Sequence, residues 1–326
     1  MNRRSRWLLK ALLTLAAPLA MLQAAHAQEP FPNKPIRIVL PLAAGQSADL
    51  ILRALAVPMA REAKVPVVVD NKPGASGFIA VQALTSAPPD GYTVFVGSGQ
   101  THGQNSAMFK KLPYDPVKDF TPVIFLNRGG FALVVPATSP IKSPQDLLAA
   151  ARQKPGSLTY GSASTGTRLS AELLQQMGKV SVRYVPYKSA PQAVTDLMGG
   201  TLDFVVADIP SVQGLVQQGR LRALAVTSLE RNPVLPAVPT LAESGLPGYE
   251  MIAWAGVFAP AGTPQPVVQK LNALFRGALA SPEGQAFYTQ AGLRPEPGTP
   301  DELAQHVRAQ LEKWAVLVKA AGIEPE

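Results

Sequence analysis

Short apolar runs alternate along the chain with longer stretches whose apolar positions recur every three or four residues. The runs predict buried strands; the longer period predicts helices that lay one face on a sheet. "IRIVLPL" (36–42) is the first strand. Residues 48–63 then place Leu50, Ile51, Leu55 and Met59 at helical spacing, and Pro58 is expected to kink or end that helix early. Strand "VPVVVDN" (65–71), helical "FIAVQALTSA" (78–87), turn "PPDG" and strand "YTVFVGS" (92–98) complete a βαβαβ series. That order implies a parallel sheet with right-handed crossovers.

The stretch "VIFLNRGGFALVVPA" (123–137) is strand-prone, but Gly129-Gly130 is expected to break it and to pass the chain from one lobe to another. Ser143, Pro144 and Asp146 form a capped helix start. The runs "LTYGSA", "VRYVPY", "LDFVVAD" and "LRALAVTS" then alternate with helical segments to residue 228, and "YEMIAWAGVFAPAG" (249–262) reads as a return strand. Thr299, Pro300 and Glu302 open a C-terminal helix in the same capped way. The fold class expected is α/β with two lobes, the second inserted between halves of the first, a hinge architecture whose ligand sits between the lobes. Lobe 1 is assigned to 28–130 and 249–326, lobe 2 to 131–248.

Composition changes this picture at the N-terminus. Residues 1–27 combine Arg3, Arg4, Arg6 and Lys10 with the apolar "ALLTLAAPLAML" and a small-x-small site at Ala25-His26-Ala27, the pattern of a secretory signal cleaved after Ala27. The alternative, a membrane anchor, needs a longer apolar run. The whole chain carries 30 basic and 22 acidic residues; without the four basic residues of this segment the balance is 26 against 22, net +4. So mild a bias gives nucleic-acid binding little support and leaves a modest attraction for small anions. With no cysteine there are no disulfides, no thiol catalysis and no cysteine metal site. The expected product is periplasmic and monomeric.

Few residues carry chemistry. His102, after strand 92–98, reads as a cleft-facing loop residue that hydrogen-bonds locally, and His306 as a surface or packing residue of a helix. Two distant histidines make no zinc site. "GSASTG" (161–166) is not G-x-S-x-G, which counts against a hydrolase acting through Ser164, and "AAGQSAD" has one glycine where a dinucleotide loop needs three. No enzyme, metal or cofactor is expected. What recurs is a strand ending in small or hydroxyl residues before a helix: "LAAGQSAD" (42–49), "NKPGASGF" (71–78), "GSGQTHG" (97–103) and "GSASTGT" (161–167). Each offers backbone N–H groups at a helix start, an arrangement that favours an anion; the alternative is that these are ordinary α/β turns.

At this point the chain resembles the periplasmic receptors of tripartite tricarboxylate transporters, the Bug family. "FPNKPIRIVLPLAAGQSAD" is similar to the family's opening strand and its P-F-x-x-G-G-x-x-D loop. "VVVDNKPGASGFIA", "PDGYTVFVGS", "LPYDPVKDFTPV", "YGSASTGT", "VPYK", "LRALAVTS", "PTLAESGLPGYE" and "APAGTP" follow family motifs over nearly the whole mature chain. The resemblance implies a two-lobe periplasmic binding protein (type II), with the cleft between lobes and hinge crossovers, that closes on a small organic acid and docks with the membrane permease subunits of a tripartite transporter; a sensor feeding a membrane kinase is the alternative output. By position it implies ligand contacts from Leu42, Gln46, Ser47, Ser76, Ser98, Gln100, Thr101, Ser162, Ala163, Thr165 and Thr167. It adds Asp208 from the second lobe, where a helix cap is the competing role. Asp49 is assigned to its helix's first turn rather than to the ligand. Leu42 and Gln46 depart from the family's aromatic and second glycine, and the loop after Thr167 lacks its His-Leu pair, so ligand choice is expected to be this chain's own.

Overall fold

The computed structural model describes residues 31–45, 47–187, 189–290, 293, 295–320 and 324–325. Residues 1–27, read above as a secretory signal, lie outside them. From residue 34 onward the chain forms one compact unit. Strands β1 (Ile36–Leu40), β2 (Val67–Asn71) and β3 (Thr93–Ser98) are parallel, in the order β2-β1-β3. They are linked by helices α1 (Ser47–Ala63) and α2 (Phe78–Thr85), as the alternation predicts. A π-turn (Gln100–Gln104) and the short α3 (Asn105–Met108) lead to β4 (Phe120–Pro136). The second half contributes α4 (Pro144–Gln153), β5 (Thr159–Ser162), α5 (Thr165–Gly178), β6 (Arg183–Pro186), α6 (Ala190–Met198), β7 (Phe204–Asp208), α7 (Ile209–Gln217) and β8 (Leu221–Val226). Strand β9 (Ile252–Pro260) returns, followed by α8 (Gln265–Ala280), α9 (Pro282–Gln290) and α10 (Pro300–Ala320).

The two halves share β4. Its residues from Phe120 to Gly130 pair antiparallel with β9, which pairs in turn with β3. From Phe131 onward it pairs with β7 on one side and β8 on the other. The glycine pair therefore does not break the strand: Gly129 and Gly130 keep their register with Ala253 and Ile252, and the partner changes at the next residue. A local rule about glycine fails here because strands on both sides hold the extended backbone. The helix rule about Pro58 fails in the same way. Helix α1 runs through Pro58 to Ala63, since Ile51, Leu52, Leu55, Met59 and Ala63 bury one continuous face and outweigh one missing hydrogen bond.

Beyond the crossing, β4 is buried on both faces. Phe131, Leu133 and Val135 pack with Leu147, Tyr160 and Phe204, while Ala132 and Val134 pack with Val194, Leu197 and Val205. Helix α10 serves both halves: Leu303 and Val307 join the core around Phe95 and Phe258, and Trp314 and Val318 join the core around Tyr160 and Tyr249. The caps read from the sequence form. Ser143 Oγ accepts from Asp146 N (3.1 Å), and at α10 Thr299 Oγ1 accepts from Glu302 N (3.2 Å) while Glu302 Oε2 accepts from Thr299 N (2.6 Å). Among the described residues no helix is long and apolar enough to cross a membrane.

Candidate functional site

Strand direction places the loops. The carboxyl ends of β1, β2 and β3 lie along one edge, and β5 and β7 are likewise parallel to each other. Ser98, the last residue of β3, pairs with Ala255 of β9, which pairs with Asn127 of β4. Asp208, the last residue of β7, pairs with Phe131. Four residues of extended chain, about 13 Å, thus separate the ends of the two parallel sets along β4. The carboxyl edge of an open α/β sheet is where such folds bind ligands.

Three loops of the first half touch. Gly77 has φ +89°, and a methyl placed on it would meet Thr101 Cγ2 at 2.8 Å and Pro41 Cβ at 3.5 Å, so only glycine lets these segments meet. Ala75 and Ser76 are also left-handed, with φ 45° and 51°. Backbone of this kind in residues with a side chain is held in place at a cost. The holding contact is Asn105, whose amide donates to Ser76 O (2.9 Å) and to Tyr114 Oη (3.1 Å). Asp49 stands in the first turn of α1, as expected, and also organises the loop before it. Its carboxylate accepts from Gly45 N (2.9 Å), Arg53 Nε (3.0 Å) and Asn71 Nδ2 (2.9 Å), and the Asn71 amide also donates to Leu42 O (3.0 Å). The Arg53 hydrogen bond, with the Gly45 and Asn71 donors behind it, lowers the Asp49 pKa to about 2. Its partners rather than the deep core enclose this residue.

In the second half, Ser164 caps α5 by accepting from Thr167 N (3.3 Å). Ser162 Oγ donates to Ser164 O (2.8 Å) and lies 2.6 Å from Thr167 Oγ1. Thr165 and Gly166, the first two residues of α5, have backbone N–H groups with no acceptor among the described residues. Asp208 stands at the N-cap position of α7 without a side-chain cap bond, so the capping role is not the one it plays. Its side chain is exposed, yet desolvation raises its carboxyl pKa above the usual range. Exposure and crowding point opposite ways; a carboxylate at the mouth of a concavity satisfies both, and we read it so.

Of the residues singled out in the sequence, Leu42, Ser76, Ser98 and Thr101 belong to the touching loops, and Ser162, Ala163, Thr165 and Thr167 to the start of α5. The hydroxyls of Thr101, Ser162 and Thr167 are buried and have internal partners: Thr101 Oγ1 accepts from Ser98 N (3.1 Å). Gln100 is exposed, and its N–H donates to Ser98 Oγ (3.3 Å). Gln46 lies outside the described residues, and Ser47 is placed only as the first residue of α1. A groove of about 260 Å³ runs along α5, lined by Leu169, Glu172, Gln175, Val180 and Leu317, and none of the loop residues named above lines it. The site is defined by the convergence of the loops. Among the described residues no group of three His, Asp or Glu is placed to hold a metal.

His102 corrects the sequence reading. It does hydrogen-bond within its own loop, to Thr101 Oγ1, but it does not face a cleft: it is a core residue with no exposed surface, stacked on Phe258 at 3.9 Å and edge-on to Phe120 at 4.4 Å. Only its neighbour Thr101 Oγ1 reaches Nδ1 (3.0 Å), and Nε2 has no partner. Desolvation lowers its pKa to about 3 from 6.5. Burial against Phe125 and Trp254 lowers His306 to about 4. The unfolded chain takes up these protons near pH 6.5 and the folded chain only well below it. Stability is therefore complete above pH 6.5 and falls as the pH drops, with His102 alone removing about 2 kcal/mol at pH 5. Urea midpoints at pH 7.5 and pH 5 test this, and His102→Leu should flatten the difference. An unchanged difference in that variant places the acid sensitivity elsewhere.

Carboxyl-end loops converging from two parallel strand sets are the arrangement in which an open α/β fold holds a ligand. The comparisons agree. The model of the tripartite tricarboxylate transporter family receptor matches residues 51–323. The chain is 38% identical, over 88% of its length and 86% of the relative's, to the UPF0065 protein of the tcbD–tcbE intergenic region of Pseudomonas sp. strain P51. Among solved structures it resembles an R. palustris protein with adipate (35% identity, TM-score 0.79, 91% of this chain and 100% of the other). It also resembles MatC of Rhodopseudomonas palustris with bound malate (34%, 0.74, 88% and 100%) and the periplasmic binding protein BugD (31%, 0.75, 91% and 100%). The chain belongs to the tripartite tricarboxylate transporter receptor family, a family of solute receptors and not of enzymes.

Proposed function

We propose that this receptor works outside the cytoplasm and holds a small carboxylate between the loop ends of its two halves. The carrying observation is the convergence of the carboxyl ends of β3, β5 and β7 on the crossing of β4. Lobe 1 comprises 28–130 and 249–326 and lobe 2 131–248, and cleavage after Ala27 releases the chain into the periplasm. The free N–H groups of Thr165 and Gly166, the hydroxyl of Thr165 and the loops at Leu42, Ser76 and Ser98 face the acid. An acid that also carries a hydroxyl gives Asp208 a donor to accept from. Adipate and malate in the related structures support this ligand class. Closure follows if the ligand binds the closed form more tightly than the open one, and the closed form docks on the permease of a tripartite transporter.

A thermal-shift panel of adipate, malate, citrate, glutamate and benzoate tests the reading. A ligand at a hundred times its Kd adds about 2.7 kcal/mol of stability, which raises Tm by several degrees. No shift and no heat of titration with any of the five would reject a carboxylate receptor.

A further inference from the structure

Gln104 closes the π-turn after β3, and neither the family motifs nor the small-residue loops draw attention to it. It is 8% exposed. Its backbone N–H donates to Gly99 O (2.8 Å), but its amide makes no cap bond at α3 and has no partner among the described residues. Neither amide atom is sealed from solvent, so the group is open to a partner from outside the chain. Its position says which. A methyl on Gly99 would lie 3.6 Å from Gln104 Nε2, and so would a methyl on Gly166, the second residue of α5. One amide therefore spans the loop after β3 and the start of α5, the two halves of the site.

The neighbours around that amide are donors. Thr165 and Gly166 present N–H groups without acceptors at the positive end of the 14-residue helix α5. On the Gly99 side, Trp254 Nε1 is buried with no partner. An atom that satisfies the helix N–H groups must be an acceptor, and an amide facing the same atom turns its NH2 toward it. We propose that Gln104 is the specificity-determining residue of this receptor, donating from its amide to a ligand carboxylate seated on the first N–H groups of α5. The proposal rests on the carboxylate reading above and adds the residue that selects the anion without a positive charge.

Isothermal titration with whichever of the five acids shifts the wild type most gives the test. Gln104→Glu keeps the shape and sets a negative charge against the carboxylate, so affinity should fall about 100-fold. Gln104→Met removes only the donor and should cost roughly tenfold. Gly99→Ala supplies a control that folds: φ is −51°, and the added methyl makes ordinary contacts, 3.4 Å from Trp254 Nε1 and 3.6 Å from Gln104 Nε2. It should bind within about threefold of wild type, with the unliganded Tm within about 2 °C. If Gln104→Met binds within about threefold of wild type, Gln104 does not read the ligand, whatever Gln104→Glu does to folding. A wild type that binds none of the five acids overturns the receptor reading itself.

Discussion

Thr227→Val is expected to lower the unfolding free energy by about 3 kcal/mol in urea titration. Thr227 has no exposed surface and follows β8 at the point where three segments meet. Its Oγ1 accepts from Phe131 N (2.6 Å) and donates to Met251 O (2.6 Å). Its own backbone donates to Phe131 O (3.0 Å) and accepts from Met251 N (2.8 Å). The strand leaving the first half, the strand end leaving the second and the return into β9 are thus tied by one residue. Valine keeps the branched shape but strands a buried N–H, which costs about 1–3 kcal/mol, and removes the second bond, worth about 1 more. Thr227→Ser restores both bonds and should recover most of the loss. A valine variant within about 0.5 kcal/mol of wild type would show that the hydroxyl ties nothing.

Gly97→Ala should be comparably damaging, by about 3 kcal/mol, for a steric reason. A methyl there would stand 2.5 Å from His102 Cε1 and 2.7 Å from Phe258 Cε2, atoms of two stacked rings in the first core. Neither ring has room to withdraw, because Phe120 lies edge-on to His102 and Phe258 has 1% exposure. The test is a double-mutant cycle read by denaturation. His102→Ala leaves a cavity that accepts the methyl, so Gly97→Ala should cost at least about 1 kcal/mol less in that background. Equal costs in both backgrounds would rule out the clash.

These two positions differ in how far they can be read from the chain. "YTVFVGS" announces a strand through its own composition, and Gly97 within it looks like an ordinary strand end. Its importance depends on Phe258, which arrives on β9 from more than 150 residues away. His102 is misread for the same reason: glycines, a threonine and glutamines surround it in sequence, whereas three aromatic rings from β4 and β9 surround it in space. The loops at Leu42, Ser76, Ser98 and Thr165 are legible because small and hydroxyl residues after a strand carry their meaning locally. Gln104 is not, because its amide is significant only once Gly166 of the other half stands beside it. The one available signal was its place two residues beyond His102 in the same loop.

By itself the sequence determined the alternation of strands and helices, the caps at Ser143 and Thr299, the role of Asp49 in its first turn and the family to which the chain belongs. Each depends on residues a few positions apart, where backbone preference and short-range hydrogen bonds decide. Tertiary structure decided that β4 runs unbroken through Gly129-Gly130, that α1 continues past Pro58 and that α10 packs on both cores. It also placed the carboxyl ends of two parallel strand sets a few residues apart along one strand. Those outcomes depend on burial and strand pairing supplied from distant segments, and such partners outweigh the local preference of a glycine, a proline or a histidine.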